Sequence, residues 1–339
     1  MKLKLTQTAI GVAMALAAFA ASAGDTTTIT QSGPNNTATA VQANNPTTNN
    51  DNILIDQSGG GNTASALQQN ITSFAASVVI MSGNGNTGTT SQTNSNSVSA
   101  YITDWGNNNV SAIGQNLVTN GYAVIYQNGD YNQGAISQSA GTGQSATINL
   151  DTYGGGGDYN VATATQTGDA QAATIVQGST LAGAPTGGSY NNVAVNQAGA
   201  YNTATVSQPG SFNVAAVSQL GSGTSVADVN TATVDQAGAG HEAYLFQTGY
   251  KLTGSILQSG DNHLAVNAQS GILGNSFITQ SGYGNIANVN QVNGGTLLNV
   301  STVTQGGQQN LATVSQNGNA FTSTVSQPGS YNVASVTQY

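Results

Sequence analysis

The sequence predicts an all-β fold, a β-solenoid or cross-β stack of about 13 two-strand rungs whose strands form two facing parallel sheets. Three observations predict it: a repeat of about 11 residues, alternation with period two inside each repeat, and a composition with 4% charged residues and 44 glycines. Such a composition cannot build a conventional globular core, so disorder and a prion-like low-complexity tract are the alternatives. The regular order of the repeats favours a solenoid.

The repeat is clearest in the two copies that run from Gln197 to Gln208 and from Gln208 to Gln219. Its pattern is Q-x-G-x-x-N-x-A-x-ψ-x-Q, where ψ is aliphatic. The marked residues N, A, ψ and Q alternate with small polar residues, which is typical of a strand with two different faces. Gly permits positive φ and Asn tolerates left-handed geometry, so G-x-x-N predicts a turn. We expect Asn, Ala, ψ and Gln to point inward.

Residues 24–339 are predicted to form one repeat domain, because 26 half-units can be placed from Asp25 onward and pair into 13 rungs. One strand of a rung carries Ile or Val two residues before Gln, as in Ile29 and Gln31. The other strand follows N-x-A-x-x-x-Q, as from Asn36 to Gln42. The arc from the first kind of strand to the second is short in 11 of the 13 rungs, and we name this side the tight edge. The return edge, on the other side, carries insertions.

In-register stacking would place each Gln and Asn over its equivalent in the next rung. Amide groups could then bond to one another along the stack, which satisfies buried polar groups that otherwise cost several kcal/mol each. The predicted fibre-ladder residues are Gln31, Asn36, Gln42, Gln57, Asn62, Gln68, Gln197, Asn202, Gln208, Asn213, Gln219, Gln280, Asn285, Gln291, Gln305, Asn310, Gln316, Gln327, Asn332 and Gln338.

Residues 1–23 are predicted to be a secretory signal peptide, with basic Lys2 and Lys4, an apolar stretch and a small-residue cleavage pattern ending at Ala23. Its removal would change the net charge from −9 to about −11 and leave Lys251 as the single basic residue.

An acidic chain cannot neutralise phosphates, which excludes nucleic acid as a partner. The apolar stretch is too short for a membrane span, and the absence of cysteine excludes disulfides.

The repeats resemble those of the curlin family, whose motif S-x5-Q-x-G-x-x-N-x-A-x3-Q covers essentially all of residues 24–339. The resemblance implies a secreted structural subunit of curli-like functional amyloid fibres, serving biofilm matrix, adhesion and aggregation at the cell surface. It implies head-to-tail self-assembly, with a nucleator subunit and a curli-type secretion channel and chaperones as possible partners. We expect growth through the ends, since the rung from Asn332 to Gln338 is a full copy of the repeat.

The alternative function is a monomeric secreted β-solenoid binding module for ice or another surface, which the T-x-T pieces at Thr203 and Thr231 suggest.

No grouping of Ser, His and Asp or of Cys and His recurs, so we predict no enzyme, no catalytic residue, no cofactor and no metal. His241 and His263 stand at the turn-Asn position, where substitution within an Asn ladder is favoured over a metal pair. The glycine-rich run before Asp158 has a calcium-turn alternative.

Two further expectations concern individual positions. Residues 43–130 should be the weakest part of the stack, because Met81 and Asp104 replace Gln and Asp51 replaces Asn. A row of aromatic residues precedes the turn Asn and would either form an exposed binding strip or cover the arc. These residues are Tyr131, Tyr159, Tyr190, Tyr201, Phe212 and Tyr331.

Overall fold

The computed structural model describes residues 2–8, 13–16, 25–43, 50–150, 158–178, 188–222, 225 and 228–339. All regular elements in these ranges are strands. The chain divides into two compact units, Met1–Ala170 and Gln171–Tyr339, and each is described by itself.

The first unit contains strands β1 to β14. Their bounds are β1 Lys2–Thr8, β2 Ala13–Leu16, β3 Thr26–Ser32, β4 Thr37–Ala43, β5 Asn52–Ser58, β6 Thr63–Gln69, β7 Ala75–Ser82, β8 Thr87–Thr93, β9 Val98–Trp105, β10 Val110–Thr119, β11 Tyr122–Asn128, β12 Gln133–Thr142, β13 Ser145–Leu150 and β14 Val161–Asp169.

Strands of the first unit pair in parallel with the strand two places along the chain, as β3 does with β5 and β4 with β6. The odd-numbered strands therefore form a first sheet and the even-numbered strands a second. The register brings equivalent repeat positions together: Ile29 pairs with Ile55, and Gln42 pairs with Gln68. From β3 to β14 the unit makes six turns of a β-solenoid.

The second unit contains strands β15 to β26. Their bounds are β15 Ala172–Gln177, β16 Asn192–Ala200, β17 Asn202–Gln208, β18 Val214–Ser222, β19 Asn230–Ala239, β20 Glu242–Asp261, β21 Leu264–Tyr283, β22 Ile286–Asn293, β23 Asn299–Gln305, β24 Leu311–Asn317, β25 Thr322–Gln327 and β26 Val333–Gln338. The 20-residue strands β20 and β21 each turn the return edge and serve both sheets, so this unit makes seven turns. From β3 to β26 the described strands thus form 13 turns, the predicted number of rungs.

The predicted inward face of the repeat is confirmed. In β17, Asn202, Ala204, Val206 and Gln208 are buried, whereas Thr205 between them is exposed. A slip of one residue would exchange every one of these positions, so the burial pattern fixes the register. Isoleucine and valine from the first sheet face mostly small residues of the second sheet, which lets the two sheets pack closely.

The arcs of the tight edge depend on glycine. Gly59 has a φ of +91°, and a Cβ atom at this position would lie 2.0 Å from the carbonyl oxygen of Gly83 in the next turn. Gly33 meets Gly59 in the same way. Only glycine therefore permits the turns to approach one another at this position.

Near the start of the chain, β1 pairs in parallel with β3, and β2 with β4. Residues 9–12 and 17–24 lie outside the described residues, and the signal peptide stays a prediction. The glycine-rich run of the calcium-turn alternative, residues 151–157, also lies outside them. Within the described ranges, no helix has the length and apolar character needed to cross a bilayer.

Candidate functional site

The second sheet of the first unit contains an uninterrupted glutamine ladder. The Nε2 of Gln42 donates to Oε1 of Gln68 at 2.9 Å, and Gln68 donates to Gln92 at 3.0 Å. The series continues through Gln115 and Gln138 to Gln166, with donor–acceptor distances of 2.8 to 2.9 Å. These glutamines are buried, so the ladder satisfies polar groups that water cannot reach.

Most ladder glutamines also tie the two sheets together. The second Nε2 hydrogen of Gln68 is directed to the backbone carbonyl of Asn52 at 3.0 Å, on the opposite strand of the same turn. Gln115 reaches the carbonyl of Ser99 in the same manner at 3.2 Å. A glutamine therefore forms one bond along the stack and one across it, which explains why a shorter Asn would not serve at this position.

Both sheets of the second unit contain such ladders. In the first sheet the donors run from Gln177 through Gln208, Gln236, Gln258, Gln280 and Gln305 to Gln327, at 2.6 to 2.9 Å. In the second sheet they run from Gln197 through Gln219, Gln247, Gln269, Gln291 and Gln316 to Gln338, at 2.8 to 3.0 Å. In every pair the earlier residue is the donor.

The asparagine column of the tight edge works differently from the predicted amide-to-amide ladder. The Oδ1 of Asn62 accepts the backbone N–H of Asn86, and its Nδ2 donates to the carbonyls of Ser58 and Gly83, each at 2.9 Å. Asn36 makes the same three contacts with its own neighbours. Most asparagines therefore bond mainly to backbone, because the short side chain lies against the arc. Amide-to-amide contacts occur in addition from Asn310 to Asn285 and from Asn332 to Asn310 at this edge, and from Asn230 to Asn202 at the return edge.

His241 and His263 occupy the asparagine position and reproduce its hydrogen bonds. The Nδ1 of His241 accepts the backbone N–H of His263 at 3.2 Å, while its Nε2 faces the carbonyl oxygen of Ala237 at 3.2 Å. His263 does the same with Asn285 and Ser259. The rings stack with centroids 5.1 Å apart, and burial lowers the pKa of both imidazoles. Since both nitrogens of each ring are engaged, the pair is built as part of the ladder.

The first sheet of the first unit interrupts its ladder. Gln31 donates to Gln57 at 2.6 Å, but the next positions along the stack are Met81 and Asp104. Asp104 is fully buried and accepts a hydrogen bond from Ser111 at 2.6 Å. Burial raises its pKa to about 7.

Asp51, at the return edge, is a second buried carboxyl in a ladder position. Its Oδ1 accepts the backbone N–H of Ala75 at 2.8 Å, as the oxygen of an asparagine would. Burial, together with the nearby charge of Asp25, raises its pKa to about 7. The return edge next to it holds an apolar cluster of Ile71, Ala75, Val98 and Val118, all fully buried. This cluster was not predicted from the sequence, although Ile71 and Val118 are apolar residues within the insertions.

The aromatic residues form pairs. Tyr131 stacks on Tyr159 with centroids 4.9 Å apart, and Tyr190 stacks on Phe212 at 5.0 Å. All four have left-handed φ and are exposed at the tight edge. Tyr201 does not belong to this row, because it precedes Asn202 at the start of β17 and so lies on the return edge.

The outer faces of the sheets carry short hydroxyl arrays. In the second unit Thr203 pairs with Thr231, which pairs with Thr253, and Thr205 and Thr233 form a parallel column beside them. The next turn replaces these positions with Asn275 and Phe277. The two T-x-T pieces found in the sequence are therefore adjacent, but the array ends after three turns.

These features define a β-solenoid repeat protein whose turns are joined by buried amide ladders. Among the described residues, no group of three or more His, Cys, Asp or Glu side chains could hold a metal ion. Residues 202–227 match the family model described as curlin associated repeat. The match and the fold support a curlin-type family for this chain. The search of curated proteins found no match.

Proposed function

We propose that this chain is a structural subunit of extracellular, curli-like functional amyloid fibres that contribute to biofilm matrix, adhesion and aggregation. The observation that carries the proposal is the identity of the β25–β26 turn with internal turns. Asn332, Ala334, Val336 and Gln338 repeat the ladder residues of β24, but they are half-buried or exposed where their β24 equivalents are fully buried. Another turn stacked on this face would bury them in the same way.

The direction of the backbone donors on β26 identifies the residues that would receive the next copy. The N–H of Leu311 in β24 points to the carbonyl of Asn332 in the following turn, and Leu311 pairs with Val333. Because backbone groups alternate along a strand, the N–H groups of Val333, Ser335 and Thr337 point away from β24. Proline at Ser335 and Thr337 would remove two of these donors without breaking the bonds between β24 and β26.

The test is seeded elongation. Wild-type seeds are mixed with full-length chain carrying Ser335→Pro and Thr337→Pro, and fibre length is followed by electron microscopy. We expect about one addition at the seed end that presents β26, because the added copy presents a blocked face, and no addition at the other end, where the blocked face itself would have to dock. The control variant, Ser335→Ala with Thr337→Val, keeps both N–H groups and should elongate normally. Elongation of the double-proline chain at the wild-type rate would exclude stacking through this face.

The monomeric binding module is the second candidate, and the adjacent columns at Thr203 and Thr205 favour it. A surface that binds ice or another regular lattice needs a repeating array, whereas this one covers three turns. A chain that stays monomeric at rest and depresses the freezing point through these threonines would support this candidate over the fibre.

The fibre proposal includes secretion after removal of residues 1–23 and a non-enzymatic role. It also includes head-to-tail self-association, with a nucleator subunit and a curli-type channel as further partners. Mass spectrometry of the exported protein tests the first of these, since it should begin at Gly24.

A further inference from the structure

We propose that the first unit is a proton-coupled stack, in which Asp51 and Asp104 each bind a proton on folding and the resulting carboxylic acids take the place of ladder amides. The proposal concerns the folding of the unit and holds whether or not the chain forms fibres. A protonated carboxyl is neutral and has one acceptor and one donor, so it can replace the amide of Asn or Gln in a buried ladder. An ionised carboxylate offers acceptors only.

Asp51 shows half of the asparagine pattern. Its Oδ1 accepts from Ala75, but its Oδ2 is buried with no hydrogen-bond partner. In Asn62 the second atom of the side chain is the Nδ2 that donates to two carbonyls. Oδ2 of Asp51 thus occupies the position at which an asparagine has its hydrogen-bond donor. An ionised carboxylate at this position would be buried without a partner, which is costly.

Asp104 lies between the thioether of Met81 and the amide of Gln127 in the first sheet. The amide atom of Gln127 that faces it is 3.1 Å from Oδ1. If Asp104 is ionised, Gln127 must turn its Nε2 toward the carboxylate. Its Oε1 then accepts the backbone N–H of Gly134 at 2.8 Å, but the bond from Nε2 to the carbonyl of Val110 at 3.3 Å, which corresponds to the cross-sheet bond of other ladder glutamines, is lost. If Asp104 is protonated, it donates to Oε1 of Gln127 and the cross-sheet bond is kept. The Oδ2 of Asp104 is buried without a hydrogen-bond partner, which makes a negative charge on this carboxyl more costly.

Few titratable groups face these two carboxyls. Asp25 is the neighbour of Asp51 in the preceding turn, and its Oδ1 accepts the backbone N–H of Asp51 at 3.3 Å. The positions that pack against Asp104 from β7, β10 and β11 are Met81, Ser111 and Gln127, none of which titrates. Among the side chains of this unit that the structure describes, neither carboxyl is paired with a cation, and binding a proton would remove the charge. A pKa of about 7 for each group agrees with this geometry.

The pH window follows from these values. Both pKa values are raised on folding from 3.8 to about 7. The stabilising effect of protonation is therefore complete below about pH 4 and is lost as the pH rises to about 7. Each group should change the unfolding equilibrium constant about tenfold per pH unit across that window.

The experiment compares full-length wild type with Asp51→Asn plus Asp104→Gln. Asn occupies the return-edge position at the start of β17 and β19 in the second unit, and Gln is the usual ladder residue at the position of Asp104. Infrared spectroscopy at pH 5.5 should show a carboxylic-acid C=O band in the wild type that the double variant lacks. Denaturant unfolding should show the wild type losing stability between pH 4 and 7 relative to the variant. Asp56→Asn, which removes an exposed carboxylate on β5, the strand that follows Asp51, is the matched control and should change neither readout.

Asp235, His241 and His263 in the second unit titrate equally in all three proteins, so the differences isolate the first unit. If the double variant folds poorly, the single variants Asp51→Asn and Asp104→Gln test the proposal, because each should lose part of the acid band while Asp235 contributes equally to all spectra. An acid band that is absent from the folded wild type at pH 5.5, or parallel pH profiles for wild type and double variant, would overturn the proposal.

Discussion

The two edges of the first unit use different side chains at the position where the backbone of one turn meets the next. At the tight edge, every turn has a buried asparagine at one position, Asn36, Asn62, Asn86, Asn109, Asn132 and Asn160. At the return edge, the corresponding positions hold Asp25, Asp51, Ala75, Val98, Gly121 and Gln144. The comparison shows that a solenoid tolerates a varied edge when an apolar cluster replaces the polar column. The same residue, asparagine, is repeated in every turn at the tight edge, where the arcs are short and the turns are in close contact.

The largest expected effect comes from glycine at the tight edge. Gly59→Ala places a methyl group 2.0 Å from a backbone oxygen that cannot move away without shifting the next turn. We expect a loss of about 4 kcal/mol or more in the free energy of unfolding. Gly61→Asn is the control, since the space around this Cβ is open to 4.0 Å and Asn accepts a φ of +70°. Similar denaturation midpoints for the two variants would show that close approach is not required.

The next effect tests the asparagine column itself. Asn62→Ala leaves the N–H of Asn86 and the carbonyls of Ser58 and Gly83 without their partner, so we expect about 3 kcal/mol of destabilisation. At acidic pH, Asn62→Asp keeps the acceptor and one of the two donor hydrogens, so its stability there should lie between those of Ala and wild type. Chemical denaturation measures both. An Ala variant as stable as wild type would mean that water replaces the column.

A test of similar size applies to the return edge. Ile71→Ala removes the largest side chain of the apolar cluster, which is fully buried, and should cost about 2 to 4 kcal/mol through the cavity it leaves. Ile71→Val should cost about 1 kcal/mol. Hydrogen exchange of the Val98 and Val118 amides reports local opening. Equal protection in the wild type and the Ala variant would show that the cluster does not stabilise this edge.

A smaller effect is expected at the histidines of the second unit. Burial lowers the pKa of both rings, so stability is complete above about pH 6.5 and falls as the pH drops and the unfolded state takes up protons. His241→Asn with His263→Asn should remove this dependence and leave stability at pH 8 nearly unchanged. Denaturant unfolding midpoints of both proteins at pH 5 and pH 8 measure this pH dependence. A double variant with the wild-type acid sensitivity would place the titrating group elsewhere.

The smallest effect concerns the exposed aromatic pairs. Tyr131→Gly removes a ring that stacks on Tyr159, but it also relieves a left-handed φ of 59°. Because the ring is 45% exposed, we expect the two contributions to cancel within about 1 kcal/mol. A larger loss in the free energy of unfolding would show that the stacking of Tyr131 on Tyr159 stabilises the tight edge.

Much of this architecture could be predicted from the sequence because the repeat is periodic. The alternation in β17 identified the buried face, and the spacing of glutamines identified the rungs. The partners of the asparagines could not be predicted, since Asn62 bonds to backbone atoms whose position depends on the shape of the arc. The packing of Ile71 against Val98 and Val118 also depends on how insertions from different turns meet. The role of Asp104 depends on a neighbour, Gln127, that only the register identifies.

The shared direction of the glutamine bonds gives each ladder an electrical polarity. In the second unit every Nε2 points toward later turns, from Gln177 to Gln327 and from Gln197 to Gln338. Side-chain amide dipoles of about 3.5 D, aligned head to tail, add along the axis as peptide dipoles do in a helix. The face beyond β26 therefore carries partial positive charge and the opposite face partial negative charge. Two such bodies attract one another in one orientation and repel in the reverse, so a chain of them would have a distinct head and tail.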